Sequence, residues 1–417
     1  MTTAEPQPHG PKPRIRFFNT FEVVTSFYRD LLPRLVRSGF EAEVFVSAAN
    51  YRSERTPLHE SVRNPSITYR RTPTLVRSVN GRFGKLSAAV FYILFAAAGS
   101  LFGRRTDVNF FLTQPPLFSF WGLILKRLRG QRYACLLMDI YPDVLVQSGA
   151  VAKNNLLVKV ATAAVRASWR NADAVFVIGR CMAAKVMDAG VDPSKIHLTH
   201  NWSDPTAIYP VTAEENSLRQ EHGLENKFVV LYSGNMGVSH TFDEILAVAD
   251  RLRTNDTLRF VFVGRGSRRR QIQQFLNDRG LTNILLLPFQ PAERLAESLS
   301  MADLHLVTLR PGFEGLVVPS KSYGAMASGR PIVYIGSSDG EIARLVNDAD
   351  VGTVVAPGDV EGLMASILQY VDDPEWTRRQ AAASLRSAAV HDCDSALSTY
   401  IGVLEEICPS PPTKLSR

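Results

Sequence analysis

Cysteine is scarce: Cys135, Cys181, Cys393 and Cys408 are the four in a chain of 417 residues, with no CxxC pair and no histidine cluster beside them. A disulfide-stapled scaffold and a zinc ribbon are thereby excluded. The pattern reads as reduced, mostly buried thiols in a cytoplasmic protein. Long apolar runs are missing too. Residues 86–102 form an uncharged run of seventeen, at the short limit of the roughly twenty that a spanning helix needs. Residues 1–13 are proline-rich without an apolar core, so they read as a disordered leader rather than a signal peptide. Charge of one sign is not dominant: 47 Lys and Arg face 40 Asp and Glu, a net +7. An excess this small suits a solvated surface as well as it suits an anionic partner. The basic residues lack interleaved aromatics on a recognisable module, so nucleic acid is not an expected partner.

What is present is apolar and periodic. Hydrophobic residues make up 45%, and the length suits two domains. Short strand-like runs lie at 14–20, 41–47, 107–112, 132–139 and 172–178, separated by helical stretches such as 23–38, which stops at Gly39. The pattern restarts at 227–233 and continues at 258–264, 283–287, 302–308, 331–335 and 351–355. Strands alternating with helices predict βαβ units and parallel sheets. The expected fold is α/β, two Rossmann-like lobes facing a central cleft. The N-terminal lobe takes 14–205, a linker 206–226, the C-terminal lobe 227–373, closing helices 374–408, and a loose basic tail 409–417. Ligands in such sheets bind beyond the carboxyl ends of the strands, so two facing lobes suit a reaction that joins two substrates.

The densest chemistry lies in 310–331, RPGFEGLVVPSKSYGAMASGRP. Ser320 is placed to cap a helix of small residues, and Lys321 adds a full charge, a combination that suits a diphosphate. The same Pro-Ser start is also that of an ordinary helix cap. In the first half Asp139 closes a strand. A carboxylate there can take a hydroxyl proton or merely cap the next turn, and Asp143 is the nearby alternative.

The run PSKSYGAMASGRPIVYIG resembles the donor-site segment of bacterial glycosyltransferase family 4, especially the branch that builds capsule, exopolysaccharide and O-antigen. Further matching pieces are LTQPP, LLMDIYPDVLVQSG, HNWSD, LYSGNMGVSHTFDEIL, FVFVGRG, LLPFQP and ADLHLVTLRPGFEGLVVPSK. The resemblance spans about 14–373. It implies a GT-B fold, no required metal or cofactor, retention of anomeric configuration, a nucleotide-sugar (UDP- or GDP-linked) on the C-terminal lobe and an acceptor on the N-terminal lobe. It places Gly234, Asn235 and Gly237 near the phosphates, with His240 where many relatives carry a lysine. It assigns Gly264 and Arg265, with Phe289 and Gln290, to the donor side. Glu314 is the loop carboxylate, and Gly315, Leu316, Val317, Pro319 and Ser320 complete the loop around Lys321. The family's second glutamate is replaced here by Gly324. An epimerase of the same fold and a non-catalytic nucleotide-sugar-binding scaffold are the alternative functions.

Residues 86–102 are bracketed by Arg82, Lys85, Arg104 and Arg105, with Arg70, Arg71 and Arg77 just before. They read as a helix lying in the membrane surface or as a buried core helix. The resemblance favours the membrane, because acceptors in that branch are polyprenyl-diphosphate-linked glycans. It implies a protein held at the inner face of the cytoplasmic membrane. The cluster Lys126, Arg127, Arg129 and Arg132 is a candidate for the lipid diphosphate or a solvated face.

Overall fold

The structure is a computed structural model. It describes residues 12–18, 26–47, 62–72 and 82–408, except the side chains at 26 and 82–86. The expected leader up to residue 11, the start of the first helix, Arg77 and the tail lie outside the described residues.

Two all-parallel sheets organise the chain. The first contains β1 (Arg14–Phe18), β2 (Glu41–Val46), β3 (Ile67–Arg71), β4 (Val108–Phe111), β5 (Arg132–Leu137), β6 (Ala174–Val177) and β7 (Ile196–Leu198), in the order β3-β2-β1-β4-β5-β6-β7. The second contains β8 (Phe228–Ser233), β9 (Leu258–Val263), β10 (Ile284–Leu287), β11 (Leu304–Thr308), β12 (Ile332–Ile335) and β13 (Gly352–Val355), in the order β10-β9-β8-β11-β12-β13. Every residue of β4, β6, β11 and β12 is buried, as strands covered on both faces must be. Strand order reverses between β1 and β4 and again between β8 and β11, the switch points where doubly wound sheets open a crevice.

Two strands, β3 and β7, were not expected from the pattern. Both lie at sheet edges, and neither carries the apolar run that marks a central strand. The expected linker is also more than a connection. Leu218 and Leu224 are buried in the C-terminal lobe, and Arg219 donates to the Met301, Leu224 and Lys227 carbonyls while pairing with Asp303. The last helix, Cys393–Ile407, returns to the N-terminal lobe. Its Tyr400 packs against Phe27, Phe110 and Phe176, and the Thr199 hydroxyl donates to the Tyr400 oxygen. Cys135 is buried, whereas Cys181, Cys393 and Cys408 are half-buried; all four are free thiols.

The helix Arg82–Phe102 has one buried face and one exposed apolar face. Tyr92, Ala96 and Ser100 are buried, and the Tyr92 hydroxyl donates to the Phe45 carbonyl at 3.0 Å. Val90, Leu94 and Phe102 are 48%, 63% and 84% exposed. No helix among the described residues is long and apolar enough to cross a membrane. The nearby basic cluster is mostly engaged in structure, which argues against it as the lipid-diphosphate site. Arg129 donates to the Ser100, Leu101 and Gly103 carbonyls at the end of that helix. Lys126 pairs with Asp173 at 2.7 Å, and Arg132 donates to the Ile407 carbonyl.

Candidate functional site

The switch point between β8 and β11 brings one set of predicted residues together. Past β8 the chain turns at Gly234 with φ +139°, and the turn approaches the helix Lys321–Ala327 so closely that a Cβ on Gly234 would lie 2.6 Å from Lys321 Cε. Gly264, past β9, has the same φ and abuts the Gly234 carbonyl, where a Cβ would stand 2.1 Å from the oxygen. Only glycine fits such positions without strain.

Lys321 Nζ donates to His240 Nε2 at 2.9 Å and lies 5.1 Å from the centre of the Tyr232 ring. The other imidazole nitrogen of His240 is 2.7 Å from the Thr308 carbonyl at the end of β11. That carbonyl needs a donor, so Nδ1 carries the proton and Nε2 accepts from lysine. His240 is buried. Burial, and then the Lys321 charge, push it down to about 3, while burial pushes Lys321 down to about 7. A lysine in this environment gains from an anion, which restores the charge that burial disfavours.

The neighbouring predicted residues lie on the loops past β8, β9 and β10. The Tyr232 hydroxyl donates to the Asn235 carbonyl, and the Gly237 carbonyl accepts from the His240 amide. Arg265 lies over the Phe289 ring at 5.7 Å. Phe289 is 45% exposed, so it does not pack in the core. Gln290 turns back to the Pro288 carbonyl. Ser320 departs from expectation: it is itself helical, with φ −66° and ψ −11°, and its side chain makes no capping bond. Ser322 instead bonds the Pro319 carbonyl. Position 324 points toward Leu299 and Ile208, 3.2 and 3.8 Å from where a Cβ would stand.

The loop 310–319 reaches the other lobe. Gly315 packs against the Cys181 carbonyl and Lys185. Ile140 N donates to the Leu316 carbonyl at 2.8 Å. Val317 makes an antiparallel bridge with Asp139 and a parallel one with Glu314, so one residue touches both predicted carboxylates' backbones. Glu314 Oε2 accepts from the Gly312 amide at 2.7 Å, while Oε1 is buried without a partner among the described residues. Burial raises Asp139 to about 6. Among the described residues its side chain accepts no hydrogen bond, so it caps no turn. Asp143 lies 3.8 Å from Arg166 and lines a groove with Gly312 and Leu316 of this loop. Tyr232 and Thr308 were not singled out from the sequence. Each is an apolar-strand residue whose role shows only when β8 and β11 become neighbours.

Comparison with known proteins agrees with this two-lobed layout. Residues 24–202 match the family model described as glycosyl transferase 4-like domain, and residues 227–373 match the one described as glycosyl transferases group 1. A protein of Escherichia coli (strain K12), named for a glycosyl transferase of colanic acid biosynthesis, WcaI, is 31% identical over 61% of this chain; the match spans 64% of that relative's length. Sucrose-phosphate synthase from Thermosynechococcus elongatus superposes with a TM-score of 0.75 at 16% identity, over 95% of this chain and 99% of that one. Anabaena Alr3699/HepE, in complex with UDP-glucose, gives 0.70 at 17% identity, over 94% and 99%. Each lobe thus matches a glycosyltransferase domain model, 4-like for the first and group 1 for the second, and the chain shares the two-lobed fold of these solved structures.

Proposed function

We propose that the chain is a retaining glycosyltransferase of surface polysaccharide synthesis. It moves a sugar from a UDP- or GDP-sugar onto a glycan carried on polyprenyl diphosphate, at the cytoplasmic face of the membrane. The observation that carries this reading is the Lys321–His240 pair, seated against the Gly234 turn at the switch point of one sheet, with the loop that leads into Lys321 bridged through Val317 to Asp139 of the other lobe. The UDP-glucose held by the HepE neighbour and the colanic acid role named for the relative support it.

In this reading the base stacks near Phe289 and Arg265, and the diphosphate meets Lys321 and the backbone of 234–237. The unpartnered Oε1 of Glu314 accepts from a sugar hydroxyl, the partner that a buried carboxylate oxygen requires. The acceptor oxygen bonds to the anomeric carbon on the face from which the diphosphate departs. The carbon–phosphate oxygen bond breaks, and Lys321 stabilises the charge that develops. Asp139, near neutrality because it is buried, takes the hydroxyl proton. Same-face attack retains the anomeric configuration without an enzyme nucleophile.

Calorimetry tests the donor half. UDP or GDP should bind the wild type. Lys321→Ala should weaken that binding and lower turnover by roughly a hundredfold, the scale of losing one electrostatic donor. Unchanged binding and turnover in the variant would remove Lys321 from the site.

A further inference from the structure

A groove of about 700 Å³ on the N-terminal lobe gathers five cations. Lys153 precedes the helix Leu156–Asn171, which adds Lys159, Arg166 and Arg170; the helix Arg180–Asp188 adds Lys185. One carboxylate lines the same groove, Asp143, 3.8 Å from Arg166. Among the described residues no acid pairs with the other four cations. Uncompensated like charges around a concavity focus potential and favour a multivalent anion. This cluster is free in a way that the one at 126–132 is not.

Two further features narrow the ligand. The opposite wall comes from the C-terminal lobe, through Gly312 and Leu316, and Gln147 Nε2 donates to the Pro311 carbonyl at 3.1 Å. The groove therefore opens beside the loop that carries Glu314, and Asp143 on its wall follows Asp139 by four residues. Next in sequence to the groove-lining Val158 and Lys159, the cationic helix exposes Leu156 by 73%, Leu157 by 77% and Val160 by 59%. Apolar side chains beside bare cations match an amphiphile with an anionic head.

We propose that this groove holds the diphosphate of a lipid-borne acceptor, with Leu156, Leu157 and Val160 against its hydrocarbon chain. The proposal rests on the lipid-linked acceptor of the preceding reading and names the residues that recognise it. Farnesyl diphosphate and inorganic pyrophosphate are the probes, titrated calorimetrically into the full chain with the donor site filled by saturating UDP. Farnesyl diphosphate should bind at least tenfold more tightly than pyrophosphate. The triple variant Lys153→Ala, Lys159→Ala, Arg166→Ala should bind it about a hundredfold more weakly, about fivefold for each cation near a lipid headgroup. UDP affinity should not change. All three side chains are exposed, so the melting curve should stay that of the wild type; single Lys159→Ala supplies the fivefold step if the triple variant fails to fold. Full-strength farnesyl diphosphate binding by these variants would overturn the groove, and equal affinity for pyrophosphate would overturn the lipid-borne source. If UDP does not bind the wild type, the donor reading fails, while the same titration without UDP still decides the groove.

Discussion

Lys321 sits where an ammonium is hard to keep charged, enclosed by Tyr232, His240 and the Gly234 turn. With the free group pushed down to about 7, much of it is neutral in mildly alkaline solution. A bound diphosphate raises that value again, so binding takes up a proton above pH 7. Nucleotide affinity should therefore fall as pH rises from about 7 to about 9, by at most tenfold per unit. Calorimetry at several pH values should show this slope, and Lys321→Met should flatten it; a flat wild type contradicts the role. Asp139 shows the opposite sign. Burial raises its value to about 6, so a base at this position works above pH 6 and fails below. Asp139→Asn should keep nucleotide affinity, lose turnover and remove the acid limb of the rate profile. The carboxylate's raised value also means that its charge costs folding free energy at pH 7, up to about 3 kcal/mol for two units before solvent discounts it. The Asn variant should consequently melt no lower than wild type. A lower melting temperature with normal turnover would make Asp139 structural.

At the scale of elements, the helix Arg82–Phe102 presents a buried stripe and an apolar exposed one. Its length alone left two readings open, because burial on one side is decided by β2 and by Arg16 and Arg129 reaching its last carbonyls from elsewhere in the chain. Val90, Leu94 and Phe102 are the residues to replace, since Phe91 is half-buried and would report on packing as well. The variant with Ser at all three should detach from liposomes of anionic lipid while melting within a few degrees of wild type. Wild-type protein that fails to float with such liposomes would contradict the membrane reading. Elements with continuous apolar runs, such as β6 and β11, were legible in the sequence because burial on both faces demands those runs. The edges β3 and β7 were not. Three or five residues with half their side chains in solvent carry no period. Ser320 was misread for a related reason: a cap depends on the backbone angles of one residue, and those come from the loop before it.

Over the whole molecule, the two-lobed plan was readable from the restart of the strand pattern at 227. The return of Cys393–Ile407 to the first lobe was not, because the aromatic pocket for Tyr400 draws on Phe27, Phe110 and Phe176, far apart in sequence. The site has the same character. Gly234, Lys321 and Glu314 stand out as motif residues, whereas Tyr232, Thr308 and the groove beside Asp143 exist only once sheets and lobes are assembled. In the proposed function that assembly gives one cleft that joins a nucleotide-sugar to a lipid-borne glycan. The most direct measurement is mass spectrometry of a reaction containing the protein, a panel of UDP- and GDP-sugars and extracted membrane lipid. One sugar should appear on a lipid diphosphate glycan, with its anomeric configuration retained, in step with release of the nucleoside diphosphate, and Lys321→Ala should slow both about a hundredfold. An altered sugar nucleotide formed without acceptor, or nucleotide binding with no turnover on any lipid fraction, would contradict the account.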